Sequence, residues 1–343
     1  MTAVETDSGP DTGASTSHAA AQRRTVGDLA DVLFVPIFLV ALLAYFTWRS
    51  DTFLTTRNLE QILIASSGLA IAAAGTTFVI IAAELDLSIG ANAALSGVLA
   101  ATAMTEWTSS VPFGVAVGLF TGLVVGLVNG TITTVFKVPS FVTTLGVSFV
   151  LGGVALAVTG GSSVSGVPRS FGNLANTLWL GIRTIVWVAV LVFVVGYLVL
   201  HRMALGLRLF AVGNNSRAAR LAGLRVDVTR LTAFVIGGFC AGLAGVMLAS
   251  RLRSGSPGAN SELALTAIAA VVLGGTSITG GRGSMLRTVA GVALIGVLKN
   301  GLDNLGVDFA YQNIWIGVVF ILAACSQIVR SRFRSATNQG EVS

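Results

Sequence analysis

The sequence predicts an all-α, polytopic membrane bundle of about ten transmembrane helices, and three observations carry that reading. Apolar residues make up 54% of its 343 residues and charged residues only 10%, with a mean hydropathy of +0.84. Water-soluble globular chains do not have that balance. The apolar residues are gathered into runs of bilayer length, parted by short polar intervals. The net charge of +6 resides in those intervals, where it sets orientation and does not form a nucleic-acid surface.

In chain order, residues 1–28 are a Ser/Thr/Ala/Gly/Asp-rich segment without apolar periodicity, expected to be a disordered cytoplasmic tail. Residues 29–330 form the expected transmembrane domain and 331–343 a cytoplasmic C-terminal tail. No small-residue cleavage site follows the first apolar run, so a retained first span is expected. The runs are Val32–Trp48, Ile62–Ala83, Leu87–Met104, Val111–Phe136, Phe141–Thr159, Ile185–Leu200, Leu231–Ala249, Leu263–Ile278, Val289–Leu305 and Ile314–Val329. Pairs of runs joined by short turns are alternatively re-entrant. With the amino terminus inside, the outer side keeps Arg49, Arg57, Arg169, Arg183, Arg251, Arg253 and Lys299, and the other two thirds of the 21 lysines and arginines face inward. Both termini are therefore expected in the cytoplasm, in a multi-pass protein of the plasma (inner) membrane.

Glycines at 114, 118, 122, 126 and 130 clear one face of the fourth run for close helix approach, and Gly238, Ala241, Gly242 and Gly245 do the same in the seventh. The fourth run is on that ground expected to be central. Cys240 and Cys325 lie in separate runs and read as packing residues. The two histidines, His18 and His201, give no basis for a metal or catalytic centre.

The longest polar interval, 201–230, carries six arginines and one acid between two runs. Asn214 and Asn215 are placed to cap a short helix over Ser216–Ala222, and Gly223 to end it in the left-handed conformation. A basic, capped helix at a membrane surface is a docking element, although arginines there also serve simply to fix orientation.

Within an apolar stretch, acids occur at Glu84 and Asp86. At i and i+2 they do not share a helix face, and no nucleophile neighbours them, which argues against acid–base catalysis. Asp86 reads either as a cap accepting from amides near Ser88 and Ile89, the preferred reading, or as a proton or cation site. Gly280–Gly283 lacks the lysine of a phosphate-binding loop, so ATP binding by this chain is not expected.

Several segments resemble the permease subunits of ribose/xylose-type ABC importers, a binding-protein-dependent family that also includes autoinducer-2 and branched-chain amino acid permeases. Ala211-Val212-Gly213 with Ala218-Ala219-Arg220-Leu221-Ala222-Gly223 resembles its cytoplasmic coupling region. Leu85-Asp86-Leu87-Ser88-Ile89-Gly90 is similar to the family's Ile-Asp-Leu-Ser-Val-Gly, with Ala83-Glu84 where a Gly-Gly pair is usual. Asn129-Gly130, Pro139 to Gly146, the run from Ala267 to Gly283, Asn300-Gly301-Leu302, Leu305-Gly306-Val307 and Tyr311-Gln312 extend the resemblance over about residues 58–329. Upstream of Ala267 the family's Glu-Leu-Asp is replaced by Ala264-Leu265-Thr266, with Glu262 displaced.

The resemblance implies a monosaccharide permease with a cytoplasmic ATP-binding subunit, an extracytoplasmic sugar-binding protein, a second permease chain, identical or similar, and membrane lipid around it. ATP and Mg would be bound by the partner subunit and no cofactor by this chain. The coupling residues would be Gly213, Asn214, Asn215, Arg217, Ala218, Ala219, Arg220, Leu221, Ala222 and Gly223. Path candidates are Asp86, Ser88, Asn92, Asn129, Thr143 and Thr144, among the few hydroxyls and amides of the runs, with Thr76, Thr77, Ser96, Thr131 and Ser148 beside them. Runs so poor in charge favour a neutral polyol cargo. The alternatives are an ion-gradient transporter coupled through Glu84 or Asp86, an ABC permease for a nucleoside, autoinducer or branched-chain amino acid, and a membrane enzyme.

Overall fold

The structure, a computed structural model, describes residues 35–259, 262–319 and 321. The expected tails at 1–28 and 331–343, the start of the first run, the end of the last and Cys325 lie outside them. The described chain is helical apart from its connectors and one short hairpin. Its helices are α1 (Val35–Arg49), α2 (Thr56–Ile81), α3 (Ile89–Thr102), α4 (Val111–Thr134), α5 (Ser140–Thr159), α6 (Arg169–Asn176), α7 (Thr184–Arg202), α8 (Ala204–Asn214), α9 (Ser216–Leu221), α10 (Val226–Leu252), α11 (Leu263–Leu273), α12 (Met285–Asn304) and α13 (309–319). A wider π-helical turn, Ala103–Trp107, extends α3, and strands β1 (Leu178–Trp179) and β2 (Ile182–Arg183) pair antiparallel before α7.

Six of these helices are long and apolar enough to cross a membrane: α2, α4, α5, α7, α10 and α12. The about ten spans expected from hydropathy are thus not all single crossing helices. The run Leu263–Ile278 breaks at Gly274, because Gly275 turns left-handed (φ 86°), and leaves α11 with 11 residues. The third run begins helix only at Ile89, after a non-helical connector through Glu84 and Asp86. Conversely α2 starts six residues before its apolar run, because Thr55 caps it by accepting from the Asn58 amide at 3.4 Å.

The fourth run is not the centre. Of the apolar 18-residue stretch of α2, 83% is buried and of that of α10 61%, against 28% for α4 and 22% each for α5 and α7. α4 lays its glycine face on α10 and leaves the opposite face outward. A Cβ on Gly122 would stand 2.6 Å from the Gly238 carbonyl oxygen and 2.7 Å from the Gly242 Cα. The two backbones therefore touch with no side chains between them, and van der Waals contact replaces the hydrophobic effect that lipid does not supply. At the end of the bundle away from α9, Asn58 and Asn300 exchange side-chain hydrogen bonds (2.8 and 2.9 Å) and tie α2 to α12. Glu262, displaced in sequence, accepts from Asn313 Nδ2 at 2.8 Å and joins the start of α11 to α13.

Candidate functional site

The interval 201–230 is not a loop but a chain of helix ends. α7 runs on to Arg202, Met203 breaks it with an extended backbone, α8 follows, and α10 has begun by Val226. Between them α9 is framed as its residues require. Asn215, extended at φ −156°, accepts from the amides of Arg217 (3.1 Å) and Ala218 (2.9 Å). At the far end the Leu224 amide donates to Ala219 O and the Gly223 amide to Arg220 O, both at 3.0 Å, with Gly223 at φ 83°. These are the paired bonds of a Schellman ending, and Leu224 packs on Ala219 as such endings favour.

Ala219 faces inward against Val212 and Val226. Ala218, Leu221 and Ala222 share the exposed face, and Leu221 is 85% exposed. A leucine that bare, flanked by alanines and by exposed Arg217 and Arg220, makes an apolar knob in a basic setting. Arg220 lies 3.6 Å from Asp227, which also takes Lys137 of the α4–α5 connector at 2.7 Å. These pairs are exposed and contribute little stability.

Behind α9 three backbone segments meet. The Gly281 amide donates to the carbonyl of Ile81, the last residue of α2, at 2.9 Å. Gly213, near the end of α8, sits against that same carbonyl, where a Cβ would collide with the oxygen and stand 2.6 Å from Gly281 N. A Cβ on Gly281 would in turn lie 2.6 Å from the Asn214 Cα, and Gly281 is left-handed at φ 71°. The glycine-rich turn after α11 is thus a wedge between the ends of α2 and α8. Only glycine fits at Gly213 and Gly281 without moving a main chain.

From Ile81 the chain enters the connector 82–88. Ala83 takes the left-handed conformation (φ 62°), so the turn forms without the Gly-Gly pair at a strain of about 1 kcal/mol. Glu84, 7% exposed, pairs with Arg230 of α10 at 3.1 Å, an ion contact without the alignment of a hydrogen bond. Asp86 Oδ1 accepts from the amide (2.8 Å) and hydroxyl (2.6 Å) of Ser88, the N-cap residue of α3. Of the amides expected near Ser88 and Ile89 it takes that of Ser88 alone, bracing the N-cap residue, and no side chain caps the first turn of α3. Burial raises the Asp86 carboxyl above its ordinary range, while the Ser88 hydrogen bonds oppose that shift.

Two of the connector's amides are met by α5. Ser140 Oγ accepts from the Leu85 amide at 3.2 Å and Thr144 Oγ1 from the Leu87 amide at 3.1 Å, while the Thr144 proton goes to Ser140 O at 2.8 Å. Asn129 of α4 donates to Ser88 Oγ at 2.7 Å. One turn into α3, Asn92 Nδ2 reaches the carbonyls of Gly238 (3.3 Å) and Gly122 (3.5 Å), which the glycine contact leaves open to it.

Of the six path candidates, Asp86, Ser88 and Asn129 form one hydrogen-bonded chain, Thr144 braces the same connector, and Asn92 bridges α4 and α10. All are buried within the chain, as is Thr143. Asn129 Oδ1, Thr133 Oγ1 and Thr143 Oγ1 lack hydrogen-bond partners among the described residues. Each such group costs about 1–3 kcal/mol unless something polar reaches it. Sequence reasoning missed Thr133, Ser140, Arg230 and the wedge role of Gly281. For Arg230 and Ser140 the usable signal was position alone, each beginning an apolar run near an unpaired polar connector. Among the described residues no group of three His, Cys, Asp or Glu is placed to hold a metal ion.

Comparison with known proteins bears on this arrangement. Residues 58–324 match the family model described as "Branched-chain amino acid transport system / permease component". The chain is 38% identical to the ribose import permease protein RbsC of Escherichia coli (strain K12), over 84% of this chain and 90% of that one. It is also 38% identical to the ribose import permease protein RbsC of Bacillus subtilis (strain 168), over 85% and 89%. To the L-arabinose ABC transporter permease protein AraH of Azospirillum brasilense it is 35% identical, over 88% of each chain. No solved structure matches. By the extent of the family match and the level of these identities, the chain belongs to the transport-system permease-component family.

Proposed function

We propose that this chain is the membrane permease subunit of an ATP-driven importer and passes a monosaccharide delivered by an extracytoplasmic binding protein. Its likeness to two ribose permeases and an L-arabinose permease over more than four fifths of its length carries the reading. Charge-poor helices whose buried polar groups are hydroxyls and amides suit a neutral polyol.

In this reading α9 sits in a shallow groove of a cytoplasmic ATP-binding subunit, with Leu221 as the knob between Ala218 and Ala222. Asn214, Asn215 and Gly223 hold the helix in shape, and Arg217 and Arg220 meet acids of the groove. ATP and Mg belong to that partner, and both termini of the chain lie on its side. Movement of α9 reaches α2 through Gly213, Ile81 and Gly281, and then the connector carrying Asp86 and Ser88. Since Asn129, Thr143 and Thr144 hold this connector from α4 and α5, displacing it alters the surface these helices offer a second permease chain. The passage lies between the two chains, and Asn129 and Thr143 have hydrogen bonds to spare for sugar hydroxyls once it opens.

Engagement of Glu84 by Arg230 and of Asp86 by Ser88 argues against a carboxylate free to couple an ion gradient. The test is uptake of radiolabelled ribose, arabinose and xylose by cells carrying the complete system. We expect uptake to stop on ATP depletion and to persist when the ion gradient is collapsed. The opposite pattern, or loss of amino-acid uptake alone on deleting the chain, would refute the reading.

A further inference from the structure

Arginines crowd the end of the bundle away from α9: Arg169 at the start of α6, Arg183 at the end of β2, and Arg251 and Arg253 at the end of α10. Arg253 is left-handed (φ 55°) and lies against Gly172 of α6, where a Cβ would stand 2.5 Å from its Nε. Asn176 lies between the other two and joins the Arg183 side chain to the Arg251 main chain. Its Oδ1 accepts from Arg183 Nη1 at 2.9 Å, and its Nδ2 reaches the carbonyls of Ser250 and Arg251, both at 3.4 Å. Among the described residues the only acid paired with these two arginines is Glu60, 3.7 Å from Arg183, and no carboxylate pairs with Arg251. Two cations brought to one asparagine with a single carboxylate between them are short of one negative charge.

Next to this pair the β1–β2 hairpin exposes Leu178 (63%), Trp179 (59%) and Leu180 (75%). The Trp179 ring meets Trp187 edge-on at 4.9 Å, and Trp187 Nε1 donates to Trp179 O at 3.0 Å. Trp187 heads a stripe down α7 through Val190, Leu191, Val194, Val195 and Leu198, all exposed and at helical spacing. An aliphatic stripe topped by paired indoles and then by cations follows the order of a lipid molecule from chain to headgroup.

We propose that Arg183 and Arg251 hold the phosphodiester of a phospholipid in the leaflet at this end, with its acyl chains along the α7 stripe and the hairpin tip. Guanidinium forks match phosphate oxygens in pairs, and the lipid supplies the negative charge the pair lacks. On the orientation proposed above this is the outer leaflet, but the site does not depend on the cargo.

The test uses the full chain in mild detergent, without a binding protein, and measures by native mass spectrometry the phosphatidylglycerol it retains. Arg183→Gln with Arg251→Gln is expected to cut retention about ten-fold, roughly the loss of one charge-assisted pair. Trp179→Ala with Leu180→Ala should lower it by a smaller factor. Arg251→Lys should keep part of it, and Arg57→Gln with Lys299→Gln, which removes the same charge elsewhere at this end, should keep all of it. The proposal falls if the double arginine variant retains lipid like the unchanged chain, or if the charge-matched control loses as much. It falls too if millimolar inorganic phosphate displaces the lipid completely, which would mark a plain anion site.

Discussion

Two sets of helix glycines look alike in the sequence and have opposite surroundings. At Gly122 in α4 and Gly238 in α10 an added Cβ would meet main-chain atoms of the facing helix at 2.5–2.6 Å, whereas at Gly146, Gly152 and Gly153 of α5 no other element among the described residues comes within 4 Å. The first set is consumed in making this chain. The second is left on a face that the described residues do not fill, on the same helix whose Ser140 and Thr144 hold the connector. Packing thus divides the molecule into a sealed half around α2 and α10 and an open half presented by α4, α5 and α7. The residues assigned to movement, α9 and the connector, lie where the sealed half meets the cytoplasmic face on the proposed orientation.

The largest expected effect comes from filling a glycine of the sealed contact between α4 and α10. Gly122→Leu should destabilise the chain by more than about 3 kcal/mol, because main chain has to move. Gly153→Leu should leave unfolding within about 0.5 kcal/mol of the unchanged chain. Thermal unfolding in detergent compares the two, and equal losses would erase the distinction between the halves.

A smaller change in structure but a complete one in function is expected at the wedge. Gly213→Ala places a methyl against the Ile81 carbonyl. The variant should still bind its ATPase partner but lose transport by at least about ten-fold, since a shift in a main-chain contact far from the cargo is enough to misplace it. Uptake measured beside ATPase co-purification separates these, and normal uptake would remove the junction from the transmission route.

At α9 itself, Ala218→Glu or Ala222→Glu should weaken association with the ATPase by about ten-fold while insertion and unfolding stay unchanged, because both side chains are exposed. Co-purification reads this directly, and intact complexes with both substitutions present would refute the docking face. The smallest effect is expected at Ala83, left-handed at φ 62°. Ala83→Gly relieves the strain but frees the unfolded chain, for a net gain of about 0.5 kcal/mol. A denaturation midpoint shifted downward would show that Ala83 packing against the Gly280 turn outweighs its backbone strain.

α9 was legible in the sequence because its making is local. Asn215 caps amides two and three residues on, and Gly223 closes a turn over carbonyls three and four residues back. The bond from the Ser88 amide to Asp86 was legible for the same reason, its partner being two residues away. The membrane class followed from composition, and the family from motifs whose order and spacing survive without any knowledge of contacts. None of these needed a partner from elsewhere in the chain.

The way the apolar runs become helices did, and hydropathy does not see where a run breaks. An apolar average continues smoothly through Gly274, while helix ends where Gly275 turns and α12 packs back. The choice of α2 over α4 as centre, the pairing of Glu84 with Arg230, the bracing of 82–88 by Ser140 and Thr144, and the wedge of Gly281 between Ile81 and Gly213 all join residues far apart in sequence. Their physical cause is common to all. A buried main-chain or charged group takes whichever partner the packing brings within reach, and in lipid the apolar pattern that marks a helix does not say which of its faces another helix will cover.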